Sequence, residues 1–228
     1  MQANGDGVGR GILAIWHDIT PEHEADTLGW YDRQHHFERI DIPGFVNVRR
    51  YEAIEGAPRL FIRYETRDVD VLSSEAYIER VNNPTPWTLR SQPLVRNYSR
   101  TVCVRRGRVG RAEGGFVVTI RLEAQGAASV PNAWDWRGLA ERLVQDPGIV
   151  EVEFWEADTA RSTIASKEKQ LRGEEDRYVG SVLVIHASAR DAAAKAGRDT
   201  LDDLPPESAR SAQLGLYGLV FFAENATS

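Results

Sequence analysis

An α+β fold of two tandem βαββαβ units, packed sheet to sheet, is what the sequence predicts. Three observations carry that prediction: a repeat at a fixed offset, a matching order of strand-like and helix-like segments in each copy, and sheet faces that their own helices do not cover. The repeat is the clearest. Ile42-Pro43-Gly44-Phe45-Val46-Asn47-Val48-Arg49-Arg50-Tyr51-Glu52-Ala53 returns 104 residues later as Asp146-Pro147-Gly148-Ile149-Val150-Glu151-Val152-Glu153-Phe154-Trp155-Glu156-Ala157. Pro, Gly, both Val, Glu and Ala are identical, and an aromatic residue precedes the Glu each time. The same offset carries Ile12-Leu13-Ala14-Ile15 onto Phe116-Val117-Val118-Thr119, and the stretch before Pro43 onto residues 136–145.

Each element has its own local signal. Residues 11–19 alternate as a strand does. Thr20-Pro21-Glu22-His23-Glu24 opens a helix: Thr20 as N-cap, Pro21 at the first helical position, Glu in the first turn. The helix runs to about residue 40 and stops before Pro43-Gly44. Residues 45–53 and 59–65 form a hairpin around Glu55-Gly56-Ala57-Pro58. A second helix starts over 69–77 and is interrupted by Pro84 and Pro86; strand four spans 94–105. In the second copy, strands are expected at 115–124, 149–157, 178–187 and 212–223, and helices at 134–145 and 190–201. The charged segment 167–176 reads as an insertion in the second hairpin, a solvated loop or short helix. Arg105-Arg106-Gly107-Arg108-Val109-Gly110-Arg111 reads as a basic linker between copies. The expected division is a disordered lead (1–10), a first unit (11–108) and a second unit (109–228).

Composition narrows the function classes. Of 228 residues, 42% are hydrophobic, enough for a sizeable core. Cys103 is the single cysteine, which excludes an internal disulfide and a thiolate metal cage. A net charge of -6 gives no global attraction to nucleic acid or acidic lipid. No run nears the roughly 20 apolar residues of a membrane span, and the start lacks the pattern of a secretory leader. A cytoplasmic location is therefore expected. Phosphate-loop, dinucleotide and serine-hydrolase motifs are missing.

The βαββαβ order is the ferredoxin-like split unit, a four-stranded antiparallel sheet with helices on one face. The bare face of one sheet must be covered, and the second copy can supply the cover. At this point the chain resembles the dimeric α/β-barrel superfamily, and within it the EthD-like small enzymes, in a tandem duplicated form. The residues that carry the resemblance are Trp30-Tyr31, His35-His36, Ile42-Pro43-Gly44-Phe45 and Arg50-Tyr51, helped by Tyr77 and Asn83-Pro84-Thr85-Pro86-Trp87-Thr88. The second copy lacks the histidines: Leu139 and Ala140 stand at the equivalent positions. The resemblance implies a group that includes cofactor-free monooxygenases, isomerases, cyclases, haem enzymes and proteins without known activity.

His35 and His36 are the candidate proton carriers, because a histidine near its ordinary pKa of about 6.5 exchanges protons at neutral pH. Adjacent helical residues point about 100° apart, so only one of the two faces a given pocket squarely, and Tyr31 shares a face with His35. Asp18 is the third candidate catalytic residue. Strand alternation puts Trp16 and Asp18, then Phe45, Asn47, Arg49 and Tyr51, toward the enclosed space. Trp16, Tyr31, Phe45, Asn47, Arg49, Arg50, Tyr51 and Trp87 are the candidate substrate-binding residues. Trp87 is either a lid or an anchor. No histidine spacing predicts a metal site, and no cofactor is expected; His186 is the outlying candidate for a haem ligand. The function expected is a cofactor-independent enzyme acting on a small aromatic or polyketide-like molecule by proton transfer, as isomerase, lyase or monooxygenase. A non-catalytic barrel that binds a small ligand or mediates assembly is the alternative. The expected partner is a small molecule, with homodimerisation allowed and neither nucleic acid nor membrane.

Overall fold

The computed structural model describes residues 10–123, 134–173 and 175–226; the expected lead falls outside them except for Arg10. β1 (Gly11–Ile19) is followed by a 3-10 turn at Pro21–His23. Then come α1 (Glu24–Trp30), a π-helical turn (Tyr31–His35) and α2 (His36–Ile40). β2 (Phe45–Glu55) and β3 (Leu60–Thr66) make the first hairpin, followed by α3 (Glu75–Asn82), α4 (Pro86–Ser91) and β4 (Val95–Gly110). The second half runs β5 (Phe116–Leu122), α5 (Trp136–Leu143), β6 (Ile149–Ala157), α6 (Thr159–Ser162) and α7 (Lys167–Leu171). It closes with β7 (Ser181–Ala187), α8 (Arg190–Asp203), α9 (Pro206–Ser211) and β8 (Gln213–Glu224).

The eight strands close into one antiparallel barrel in the order β1-β3-β2-β8-β5-β7-β6-β4. The first half supplies β4-β1-β3-β2 and the second supplies β8-β5-β7-β6. The two sheets do not merely face each other; they join edge to edge at the β2–β8 and β4–β6 seams. Closure removes every sheet edge. No helix among the described residues is long and apolar enough to cross a membrane.

Local chemistry explains the turns. Gly44 (φ 95°) and Gly148 (φ 97°) both take the left-handed conformation that a Cβ disfavours, at equivalent turns before β2 and β6. Ser74, Thr85 and Asp135 cap α3, α4 and α5 by accepting a backbone N–H in the first turn. Thr20 stands at the N-cap with Pro21 at the first position, as expected, but its side chain makes no capping bond. Its hydroxyl donates to the Leu94 carbonyl at 2.9 Å and ties the helix entry to the start of β4.

Two further expectations are corrected. The basic segment 105–111 is no linker: β4 continues through it to Gly110, because it pairs with β6 as well as β1. Phe45 does not face the barrel interior. A register shift between Phe45 and Asn47 turns it to the helix side, where its ring stacks 6.0 Å from Tyr77.

Three apolar cores result. One lies under α1–α4 around Leu13, Ile15, Trp30 and Tyr64. The second lies under α5 and α8. The third fills the lumen with Trp16, Tyr51, Phe61, Trp155 and Tyr217. Each fully buried aromatic of this kind contributes about 1.5–3 kcal/mol of transfer free energy.

Candidate functional site

The site forms where the helices of the first half lie on the outer face of β1, β3 and β4. A π turn (Tyr31–His35) joins the two helices. His35, at its end, is 6% exposed, and His36, which opens α2, is fully buried. They serve different neighbours. His36 Nδ1 and the Tyr64 hydroxyl share a 2.8 Å hydrogen bond, and its ring stacks on Tyr31 at 4.9 Å. His35 packs on Trp30, ring centroids 4.1 Å apart, and its Nδ1 lies 3.8 Å from Glu38.

A third histidine completes the group. His17 projects from β1 onto the same face as Leu13 and Ile15. Its Nδ1 is 2.9 Å from the Asp18 carbonyl, so that nitrogen carries the proton. Nε2 is then the acceptor, and the Tyr31 hydroxyl donates to it at 2.9 Å. All three imidazoles are held neutral. Burial pulls His17 down to about 4 and His35 and His36 well below the ordinary range; Arg39 acts next on His35, and Arg50 on His36. The expectation of a histidine near its ordinary pKa is thus corrected. Burial also pushes Tyr98 up to about 12 and Tyr31 well above the usual phenol range.

Beside His35 lies a small cavity of about 30 Å³, room for a water molecule. Tyr64, Tyr77 and Tyr98 line it with Arg39 and Arg100, against Leu13, Ile15 and Leu72. Its cap is the charged insertion of the second half. Glu168 on α7 pairs with Arg39 through both carboxylate oxygens. Arg172 holds Asp176 with bonds of 2.8–3.0 Å and covers the Tyr98 ring at 4.1 Å. Glu168, Arg172 and Asp176 are all at most 8% exposed. The segment forms the short helix the sequence allowed, and Lys167, Gln170 and Glu175 stay exposed; Glu168, Arg172 and Asp176 are buried, against expectation, because Arg39, Gln92 and Tyr98 give these charges partners.

The other candidates separate into four places. Arg50 joins this layer: it pairs with Asp32 at 2.6 Å and lies over Phe221 and Tyr31. Trp16, Asn47, Arg49 and Tyr51 face the lumen, as their alternation implies; Trp16 and Tyr51 both stack on Phe61. Asp18 sits at a barrel mouth, where its carboxylate accepts from the Arg59 N–H at 2.6 Å and Asn97 Nδ2 at 2.7 Å. Its side chain does not enter the histidine layer. Trp87 anchors α4 on α1, its Nε1 donating to Asp26 at 3.4 Å.

Periodicity did not reveal an ion network in the opposite end of the lumen. Glu153 accepts from Arg63 (3.1 Å), Arg105 Nε (2.8 Å) and Trp155 Nε1 (2.6 Å). His186 Nε2 is 3.3 Å from Glu153 and 3.2 Å from Arg63. Ligand-capable atoms of Glu151, Glu153 and His186 lie within 4.8 Å of one another, with the Arg63 guanidinium supplying positive charge there. The signal was present: Arg63 and Glu65 alternate with Ile62 and Tyr64, and Glu151 and Glu153 share a strand face with Trp155.

No protein-family model matches the sequence, and no curated protein is similar to it in sequence. Solved structures are similar in fold. An anthrone oxidase-like protein superposes with a TM-score of 0.56 at 10% identity, over 96% of this chain and 94% of its own. A candidate monooxygenase from Lactobacillus acidophilus NCFM gives 0.52 at 8% identity, covering 95% and 97%. A candidate chlorite dismutase gives 0.50 at 12% identity, covering 94% and 96%. What the chain shares with them is the fold, an α+β architecture built on one closed antiparallel barrel.

Proposed function

We propose that the protein is a monooxygenase-type enzyme for a small aromatic ketone or polyketide-like molecule. The site is the layer between the first-half helices and the barrel. The observation that carries this reading is His35, a neutral base beside a cavity lined by three tyrosines and Arg39, under a cap donated by the other half. The anthrone oxidase-like and monooxygenase neighbours support the reaction class. A volume of about 30 Å³ is too small for an aromatic ring, so α7 must lift and the Arg39–Glu168 pair must open for substrate to enter. Arg39, freed from Glu168, then faces the substrate oxygen. His35 removes a proton from the activated carbon, and Arg39 with Tyr64 holds the enolate. Dioxygen takes up the electrons of that carbanion: a CH2 group and O2 become C=O and H2O. The His17–Tyr31 pair and His36 position the helix that carries His35.

The histidines present do not suit a haem: His186 is engaged by Glu153 and Arg63 inside the barrel, and His35 is stacked on Trp30. A second reading, a non-catalytic ligand-binding barrel, draws support from the lumen, which Trp16, Tyr51 and Phe61 pack shut. We also infer that the halves descend from one duplicated ferredoxin-like unit; their matching strand orders and the Gly44 and Gly148 turns support this.

Oxygen uptake with an anthrone-type substrate tests the enzyme reading. Wild-type protein is expected to consume O2, and His35→Ala to lose about 10²-fold or more in kcat, the usual worth of a general base. Unchanged turnover in His35→Ala would remove the proposed role of His35. No oxygen consumption across a panel of aromatic ketones favours the binding barrel.

A further inference from the structure

Arg121 breaks a pattern. The other buried arginines, Arg39, Arg50, Arg63, Arg105 and Arg172, each hold an Asp or Glu. Arg121 is 5% exposed and, among the described residues, has no carboxylate partner. Its Nη2 donates to the Ala57 carbonyl at 2.6 Å, and its guanidinium lies 5.2 Å from the Trp16 ring centre. The Arg121 Nε–H and the Trp16 Nε1–H are both buried without a partner. A buried charge with no counter-charge is costly, and unpaired donors add to the cost.

The guanidinium lines a cavity of about 420 Å³ at the barrel mouth opposite the Glu153 network. Pro58, Ser99, Arg177, Tyr178 and Val179 form the rest of the wall that matters here. Two carboxylates also belong to it, but Asp18 is occupied by Arg59 and Asn97, and Glu123 is exposed at the rim. The cavity is separate from the His35 site. Trp16 projects from the lumen face of β1, while Leu13 and Ile15 project from the helix face.

We propose that this mouth binds the carboxylate of a small organic acid, gripped by Arg121 with Arg177 at the rim. A guanidinium matches a carboxylate with parallel N–H donors. Asp18 and Glu123 disfavour a second negative charge, which selects a monoanion over phosphate. The apolar part of the acid lies against Pro58 and Val179.

The test is a titration of ¹⁵N-labelled protein with benzoate, and separately with inorganic phosphate, following the Trp16 indole N–H (identified by its loss in Trp16→Phe). Benzoate is expected to shift that resonance saturably. Arg121→Met should weaken binding at least tenfold while melting no lower than wild type, since an unpaired buried charge is replaced by an apolar chain. Arg177→Gln should weaken it several-fold, and carries the test if Arg121→Met does not fold. A non-saturable shift, unchanged affinity in these variants, or phosphate binding as tightly as benzoate would overturn the proposal.

Discussion

At the residue scale, three histidines are kept neutral chiefly by burial and differ in what they touch. That has a pH consequence for His17. Its folded-state pKa of about 4 lies below the ordinary value of 6.5, so the unfolded chain takes up the proton first as pH falls. Stability is full above pH 6.5 and declines toward pH 4, by about 3 kcal/mol from this group alone. Denaturant melts between pH 7 and 4 should show this slope, and His17→Gln should lose part of it; an identical slope in the variant would contradict the assignment. Some of these side chains were legible in the sequence and some were not. The pairing of Tyr31 with the histidine helix was visible from spacing, and so was the lumen face of Trp16, Asn47, Arg49 and Tyr51. Alternation with Leu13 and Ile15 puts His17 on the helix side, yet nothing local announces that Tyr31 bonds to it. Contacts between distant segments, such as Arg39 with Glu168, leave no periodic trace.

At the element scale, the π turn and α7 decide the site. The sequence shows one helix over 20–40; the structure interrupts it with a π turn at Tyr31–His35, which is silent in composition, and both His35 and His36 are buried there. The segment 167–176 looked solvated because seven charges in ten residues normally face water. Glu168, Arg172 and Asp176 pack down because Arg39 meets Glu168 and because Arg172 and Asp176 neutralise each other. Removing one member of a buried pair typically costs about 3–5 kcal/mol, since the remaining charge is stranded. Glu168→Gln should therefore lower stability by about 3 kcal/mol in denaturant unfolding. It should also speed amide exchange in α7 well beyond that in β7. Protection of α7 equal to wild type would show that the cap does not depend on this pair.

At the scale of the whole molecule, the barrel is one cooperative body because both seams cross between halves and the lumen draws side chains from both. The repeat at a 104-residue offset made the strand order of each half legible, but not edge-to-edge closure or the extension of β4 to Gly110. The lumen network adds pH limits of its own. Burial, with Glu153 next, raises Glu151 to about 8, so its contribution is complete below the unfolded value near 4.5 and is lost as pH rises through 8. Glu65 runs the other way. Burial opposes its charge, but Arg63 and Arg105 outweigh that and hold it at about 2. Its contribution is present above 4.5 and is lost as pH falls toward 2. Glu151→Gln should flatten the alkaline decline between pH 5 and 9; an unaltered decline would contradict the buried carboxyl pair. Small-molecule chemistry, on the reading proposed above, belongs to the helix–sheet layer and not to the lumen. Turnover of His35→Gln against Trp16→Phe on one oxygen-consuming substrate separates the two places. His35→Gln is expected to lose about 10²-fold or more in kcat, and Trp16→Phe to change within a few-fold. The reverse ordering would contradict a site in the helix–sheet layer.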